Sequence, residues 1–281
     1  MIEGLLVTIL NTAILWNGNM SRHASYSAAG ELPSVLRVPE GRGRDFVVGD
    51  IHGTFTLLAE ALTRINFNPR VDRLFLCGDV VDRGEQSPAA VSLLQEPWAF
   101  SVRGNHEQML LDAYEGEGSA AAAALSQNNG GKWFLGLAPD EKAAHLHMYR
   151  ELPLAIEIPT PGGLVAVMHA EVPIGMSWSD FTAGVRRHDK AICDSALWGR
   201  SRIKHTYEGG VQGITRIFCG HTLRPTKPQW LGNVCFLDTG ACWAWADGAE
   251  AGYALSLVNV DASVRSMMSP ERYPMLSLCP G

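Results

Sequence analysis

Three times in this chain a short apolar run stops at a glycine, and residues able to hold a metal ion follow at once. The segments are Gly49-Asp50-Ile51-His52-Gly53, Gly78-Asp79-Val80-Val81-Asp82-Arg83-Gly84 and Arg103-Gly104-Asn105-His106-Glu107. Two more apolar runs end in histidine, Val167-Met168-His169 and Phe218-Cys219-Gly220-His221. Asp50, His52, Asp79, Asn105, His169 and His221 together supply three imidazoles and three oxygen donors. That mixture suits Mn²⁺, Fe²⁺ or Zn²⁺ rather than the all-oxygen cage that Ca²⁺ takes. Six donors are too many for one structural zinc and enough for two ions if one carboxylate bridges them. Asp79 is the natural bridge, because it follows the middle one of the three runs. Two ions roughly 3.5–4 Å apart form a device for hydrolysing phosphate esters. Each piece alone is weak evidence: a lone Gly-Asp is usually a turn, a lone buried histidine is usually core, and Asn-His can be a helix cap. Five strand-end motifs in regular order are not explained that way.

The elements that must position these residues are legible as a pattern. Phe46-Val47-Val48, Leu74-Phe75-Leu76-Cys77 and Ala99-Phe100-Ser101-Val102 read as buried strands. Leu57, Leu58, Ala61, Leu62 and Ile65 recur at helical spacing, and helices are also expected over Pro88–Leu94 and Glu107–Tyr114. Strand, loop, helix, three times over, predicts an α/β chain with a mostly parallel sheet, whose strand carboxyl ends are where ligands bind. Residues 115–150 lack strands. An alanine-rich run at Ala120–Leu125, a turn at Asn128-Asn129-Gly130-Gly131 and a helix over Asp140–Arg150 predict a helical insertion. Strands then return at Leu154–Ile158, Leu164–Met168, Ile214–Cys219, Val234–Leu237 and Tyr253–Val260, separated by turns except around Phe181–Ile203. They predict a second, mixed or antiparallel sheet.

Composition narrows the function. The chain has 281 residues, 46% hydrophobic and 19% charged, which excludes general disorder. Its net charge of −6 argues against a nucleic-acid binder. Cys77, Cys193, Cys219, Cys235, Cys242 and Cys279 form no CxxC pair and read as reduced thiols of a cytoplasmic protein. The apolar stretch Leu5–Trp16 is broken by Asn11 and is shorter than the roughly 20 residues a bilayer needs. It could be the apolar part of a signal peptide, but Met1-Ile2-Glu3 gives no basic start and no A-x-A site follows closely. Translation starting at Met20 is the simpler account. The expected organisation is an N-terminal tail over 1–44, one catalytic domain over 45–262 and a C-terminal tail over 263–281.

The segments GDIHG, GDVVDRG and RGNHE resemble the signature of the PPP-type metallophosphoesterases. Asp50 and Asp79 are 29 residues apart, and Asp79 and Asn105 are 26 apart. With RGNHEQML, NNGGKWF, ELPLAIEI, HAEVP, ALWGRSRI, CGHT and LDTG, the likeness is to the branch of bacteriophage lambda protein phosphatase and the bacterial serine/threonine protein phosphatases, and it spans about Asp45 to Val258. The resemblance implies a central β-sandwich of two mixed sheets flanked by helices. It implies that Asp50, His52 and Asp79 hold one divalent ion, most readily Mn²⁺ with Fe or Zn as alternatives. Asp79, Asn105, His169 and His221 would hold a second. His106 would be the general acid, oriented by Asp82, with Arg83, Arg103 and Arg200 gripping the phosphate. Thr54 departs from the family's usual Cys after GDxHG, at a position that is not a ligand.

Elementary chemistry agrees with these roles. Two cations and guanidinium groups offset the charge of a phosphate dianion. A water bridging two metals loses its proton near neutral pH and becomes the nucleophile. A departing serine or threonine alkoxide needs a proton, which an imidazole can give. The planar fork of arginine matches phosphate oxygens. The expected activity is therefore hydrolysis of phosphoserine and phosphothreonine in proteins, with phosphotyrosine as a further candidate. Symmetrical dinucleoside tetraphosphate hydrolysis is the rival on the same scaffold. That family tends to read GNHD and to lack the Asp of VDRG, whereas this chain has Glu107 and Asp82. An inactive phosphoprotein-binding regulator would need a missing ligand or acid, and none is missing.

Overall fold

Alternation within the apolar strands decides the architecture. Phe46, Val48, Leu74 and Leu76 belong to one buried cluster, and Val47 and Phe75 to another. Strands buried on both faces read as unbroken apolar runs, which is why FVV and LFL show no polar residue. The computed structural model describes residues 34–116, 118–247, 252–265 and 275–278. The expectations about a signal peptide and a start at Met20 lie outside the described residues.

The chain runs through β1 (Val35–Arg37), β2 (Asp45–Val48), α1 (Phe55–Arg64), β3 (Arg73–Leu76), a 3₁₀ turn (Ser87–Ala89) leading into α2 (Ala90–Leu94), β4 (Ala99–Ser101) and α3 (Asn105–Tyr114). The helical insertion follows: α4 (Ala120–Asn128), a 3₁₀ turn (Gly131–Gly136) and α5 (Pro139–Glu151). Next come β5 (Ala155–Thr160), β6 (Gly163–Met168), α6 (Trp178–Arg186), α7 (Lys190–Trp198), α8 (Ser201–Lys204) and β7 (Arg216–Cys219). The described part closes with β8 (Gln229–Leu231), β9 (Val234–Phe236), α9 (Ala241–Asp247), β10 (Leu255–Asn259), α10 (Val260–Arg265) and β11 (Met275–Leu278).

The strands form two mixed sheets, ordered β11-β10-β2-β3-β4 and β1-β5-β6-β7-β9-β8. In the first, β2, β3 and β4 are parallel and β10 is antiparallel to β2. In the second, β6, β7 and β9 are parallel and β5 is antiparallel to β6. Val47, Phe75, Phe100 and Val102 of the first sheet pack on Ile156, Val165, Val167 and Phe218 of the second, making the middle of a sandwich. Phe46, Val48, Leu74 and Leu76 face α1, α2 and α3 on one outside. Ala166, Met168, Ile217 and Cys219 face Trp178, Phe181 and Val185 of α6 on the other. This is the α/β sandwich with a helical insertion that the motifs imply.

Two boundaries differ from expectation. The N-terminal tail does not extend to residue 44: β1 pairs in parallel with β5, and Val35 and Val38 are buried. The C-terminal stretch after 262 also contributes structure, since β11 pairs antiparallel with β10 along Met275–Leu278. Both are edge strands of three or four residues, too short for a period-2 pattern to stand out of polar surroundings. The strand β8, also a three-residue sheet edge, escapes the sequence pattern for the same reason.

Candidate metal centre

The first sheet presents the ends of β2, β3 and β4 side by side, and the second sheet brings the ends of β6 and β7 to the same edge. Five site residues take backbone conformations that non-glycine residues rarely adopt: φ is +47° at His52, +49° at Asp79, +69° at Asp82, +67° at Arg83 and +65° at His221. Such strain concentrates where the surroundings over-determine a functional turn. Glycines provide the room. A Cβ on Gly220 would lie 1.8 Å from Asp50 Oδ1, and one on Gly104 would lie 2.2 Å from Asp79 Oδ1.

Asp79 is the centre of the arrangement. Its Oδ2 lies 3.7 Å from His52 Nε2 and 3.8 Å from His106 Nε2, while its Oδ1 lies 3.4 Å from His169 Nε2. Side-chain donor atoms of His52, Asp79 and His106 all come within 4.8 Å of one another, and so do those of Asp79, His169 and His221. Asp79 thus belongs to two groups, one on each side of a single carboxylate.

The imidazoles are turned with their lone pairs inward. His52 Nδ1 donates to the Val81 carbonyl at 2.8 Å, and His169 Nδ1 donates to the Cys77 carbonyl at 2.7 Å. In each ring Nε2 is left as the acceptor. His169 Nε2 then faces Asn105 Oδ1 at 2.8 Å, and His221 Nδ1 lies 2.8 Å from the same oxygen. Asp50 Oδ2 accepts the backbone N–H of His221 at 2.9 Å, but Asp50 Oδ1 and His221 Nε2 have no hydrogen-bond partner among the described residues. Lone pairs facing one another in a dry site, beside an orphaned carboxylate oxygen, are what a bound cation satisfies. The donor set fits a borderline divalent metal, and Asp79 stands in both groups, as a carboxylate shared by two ions would.

Electrostatics point the same way. Burial first, then Asp238 and Asp79, pushes the Asp50 carboxyl well above its usual range. Burial also lifts Asp238 to about 6. Buried carboxylates that repel one another are relieved by a proton or by a cation between them. Burial pushes His52 and His169 down and takes His221 to about 3, so these rings are neutral, as metal ligation demands. His106 shifts oppositely. Burial works against its charge, yet Asp79 and the hydrogen-bonded Asp82 outweigh it and raise its pKa.

The six expected ligands and His106 therefore meet in one place. His106 Nδ1 lies 2.7 Å from Asp82 Oδ2. The three expected phosphate-gripping arginines fall differently. Arg83 reaches over the centre, with Nη1 2.6 Å from His52 Nε2 and Nη2 3.1 Å from His106 Nε2. Arg200 donates to Thr222 Oγ1 at 3.4 Å, next to His221. Arg103 turns toward the insertion instead, donating to the carbonyls of Tyr149 (3.0 Å) and Arg150 (2.5 Å) and to Gln108 Oε1 (3.0 Å).

Three residues that carry the site were not singled out for a role from sequence. Glu171 accepts the N–H groups of Ser201 and Arg202, both at 2.8 Å, and so pins the loop that carries Arg200. Trp133 donates its indole N–H to Asp82 Oδ1 at 2.7 Å. Glu107 accepts three backbone N–H groups around Asp79. Each lies inside a segment quoted above (HAEVP, NNGGKWF, RGNHE), but nothing in local spacing shows which distant backbone a carboxylate or indole will reach.

Comparison with known proteins matches this geometry. The model of the calcineurin-like phosphoesterase family matches residues 46–225, from β2 to just beyond His221. Serine/threonine-protein phosphatase 1 of Salmonella typhimurium is 34% identical over 200 residues, covering 70% of this chain and 86% of that protein. The symmetrical bis(5'-nucleosyl)-tetraphosphatase of Haemophilus ducreyi is 33% identical over 129 residues, covering 45% of this chain and 44% of that protein. The structure of a protein serine/threonine phosphatase from Saccharomyces cerevisiae superposes with a TM-score of 0.58 at 18% identity, covering 99% of this chain and 90% of that one, a likeness of fold. A family match that begins at β2 and contains all six candidate ligands, on a sandwich of the same fold, places the chain in the calcineurin-like phosphoesterase family.

Proposed function

We propose that the protein is a metal-dependent phosphoprotein phosphatase that hydrolyses phosphoserine and phosphothreonine monoesters. The observation that carries the chemistry is the Asp79 carboxylate, which presents one oxygen to His52 and the other to His169. Asp50, His52 and Asp79 would hold one divalent ion, and Asp79, Asn105, His169 and His221 a second, most readily Mn²⁺. When bound, the pair supplies Lewis-acid polarisation of the phosphoryl oxygens and an activated water.

The chain's own residues do the rest. Arg83 and Arg200 border the centre and offer planar donors to phosphate oxygens. Arg103 would reach a phosphate only by giving up its carbonyls at the end of α5. His106, with Nδ1 held by Asp82, presents Nε2 toward the centre and would protonate the leaving oxygen. Burial of Asp82 and His106 keeps water from loosening their hydrogen bond.

Phosphoproteins as substrates are supported by the Salmonella relative, which matches over most of its length, whereas the tetraphosphatase matches over less than half. The free thiols of Cys77, Cys193, Cys219, Cys235 and Cys242 support a reducing compartment, the cytoplasm. No helix among the described residues is long and apolar enough to cross a membrane. The test is turnover of the purified protein with Mn²⁺, comparing a phosphoserine peptide with diadenosine tetraphosphate. Preference for the peptide supports the reading, and preference for the dinucleotide overturns it.

A further inference from the structure

The helical insertion reaches the proton-donating end of the centre through one side chain. Trp133 lies in the 3₁₀ turn Gly131–Gly136, and its indole N–H donates to Asp82 Oδ1 at 2.7 Å. The other oxygen of the same carboxylate, Oδ2, lies 2.7 Å from His106 Nδ1. Asp82 is fully buried, and these are its side-chain hydrogen bonds among the described residues. A carboxylate gripped at one oxygen only can rotate about its Cβ–Cγ bond. Gripped at both, it holds the imidazole in one tautomer and one direction.

A second contact from the same insertion acts on the next residue. The Arg83 N–H points to the Gly130 carbonyl at 3.4 Å. Gly130 has φ of +105°, and a Cβ there would lie 2.6 Å from the Arg83 nitrogen. Asp82 and Arg83 are both held at positive φ, so their turn depends on outside support. Trp133 is itself fixed, its ring edge-on to Phe134 at 5.6 Å and to His145 at 5.3 Å.

We propose that Trp133 is a positioning residue for proton donation by His106, acting through Asp82 and touching no reacting atom. The proposal rests on the reading of His106 as the acid. In that step a water-derived hydroxide oxygen bonds to phosphorus as the ester P–O bond breaks, the electron pair of the broken bond stays on the leaving oxygen, and that oxygen takes the proton from Nε2. The neutral ring regains a proton from water. Orientation of Nε2 matters only as far as the leaving oxygen needs that proton. Alkyl leaving groups need it, and electron-poor aryl leaving groups do not.

The experiment compares kcat on a phosphoserine peptide and on an electron-poor aryl phosphate, with metal content measured in parallel. Two changes are made: Trp133→Phe, and replacement of Trp133 by the benzothienyl isostere, which keeps the ring shape and loses only the N–H donor. The expected result is a fall of about tenfold on the peptide and less than about twofold on the aryl ester, at unchanged metal content. In an Asp82→Asn background the same changes should leave the peptide-to-aryl ratio where Asp82→Asn alone puts it. Equal losses on both substrates, no loss on either, or a further change of the ratio in the Asp82→Asn background would each overturn the proposal. His106→Asn is the discriminating control. If it too lowers both substrates equally, the acid reading fails and this proposal with it. If it separates them and the isostere does not, only the role of Trp133 fails.

Discussion

The carboxylate of Glu107 accepts the backbone N–H of Asp79 at 3.0 Å, so the residue two places beyond Asn105 holds the turn that presents the central carboxylate. The same oxygen accepts the Gly104 N–H at 2.8 Å, and the other accepts the Val80 N–H at 2.8 Å. One side chain thus staples the end of β3 to the start of α3, reaching back as a helix N3 glutamate does. Burial, then the charge of Asp79, raises Glu107 to about 7, while the Gly104 and Val80 N–H groups work against that rise.

Glu107→Gln should therefore damage the centre without touching it. An amide has one acceptor oxygen and would turn its NH₂ toward a backbone N–H. The expected cost is about 2–3 kcal/mol of stability, together with weaker metal retention. Chemical denaturation and elemental analysis of the same preparation check both.

Asp79→Asn should empty both sides of the centre rather than one. Its two oxygens face different histidines, and an amide keeps only one oxygen, as a neutral donor. Elemental analysis should show loss at both sites and assays should show no turnover. Two full metal equivalents in an active variant would contradict a bridging role.

His106→Asn should keep the metals and lose the acid. The His106 backbone N–H, which donates to Asp79 Oδ1 at 2.9 Å, survives the substitution. Turnover of phosphoserine peptides should fall on the order of 10²–10⁴-fold, with a milder loss on aryl phosphates. Steady-state kinetics on the two substrate types is the measurement.

Away from the centre, Asp72 ties the loop before β3 to Arg44. It accepts the Arg44 N–H at 2.8 Å, the Arg44 guanidinium at 2.6 Å and the Asn68 N–H at 2.9 Å. Burial would raise its pKa, but the Arg44 and Asn68 hydrogen bonds prevail and lower it. A carboxylate with a depressed folded pKa stabilises the protein above its unfolded pKa of about 4, and that contribution is lost as pH falls through the folded value. Asp72→Asn should cost about 1–2 kcal/mol at neutral pH and flatten the acid limb below about pH 4. Melting curves of both proteins across pH 2–7 (roughly, the carboxylate range) decide it. Parallel curves would remove Asp72 from the account.

How much of this was legible follows from where the information sits. Phe46-Val47-Val48 and Leu74-Phe75-Leu76 announced buried strands, and the glycine after each announced a turn with something to present. All six candidate ligands stand within one to four residues of a strand's carboxyl end, so their convergence follows once those ends share one edge of the sandwich. Arg103 was legible as a residue type but not as a direction, because its neighbours, Tyr149 and Arg150, come from a helix nearly fifty residues on. Val35–Arg37 and Met275–Leu278 owe their strand conformation to partners, β5 and β10, rather than to their own pattern. Nothing local in NNGGKWF sets Trp133 apart from other aromatic residues. Only the fold shows that its one polar atom ends on Asp82.

The hydrogen bond from the His221 backbone to Asp50 spans 171 positions of the chain. During synthesis the first sheet's inner face, Val47, Phe75, Phe100 and Val102, emerges long before the strands that cover it. At about 5–20 residues per second, roughly 10–30 s separate the appearance of Asp50 from that of His221. Until β5 and β6 follow, that face has no partner sheet, and until His221 follows, the cluster around Asp50 and Asp79 is half-built. The centre is complete only once β7 and His221 have emerged, and a product truncated before β7 lacks that histidine together with the Phe218 that covers the first sheet's inner face.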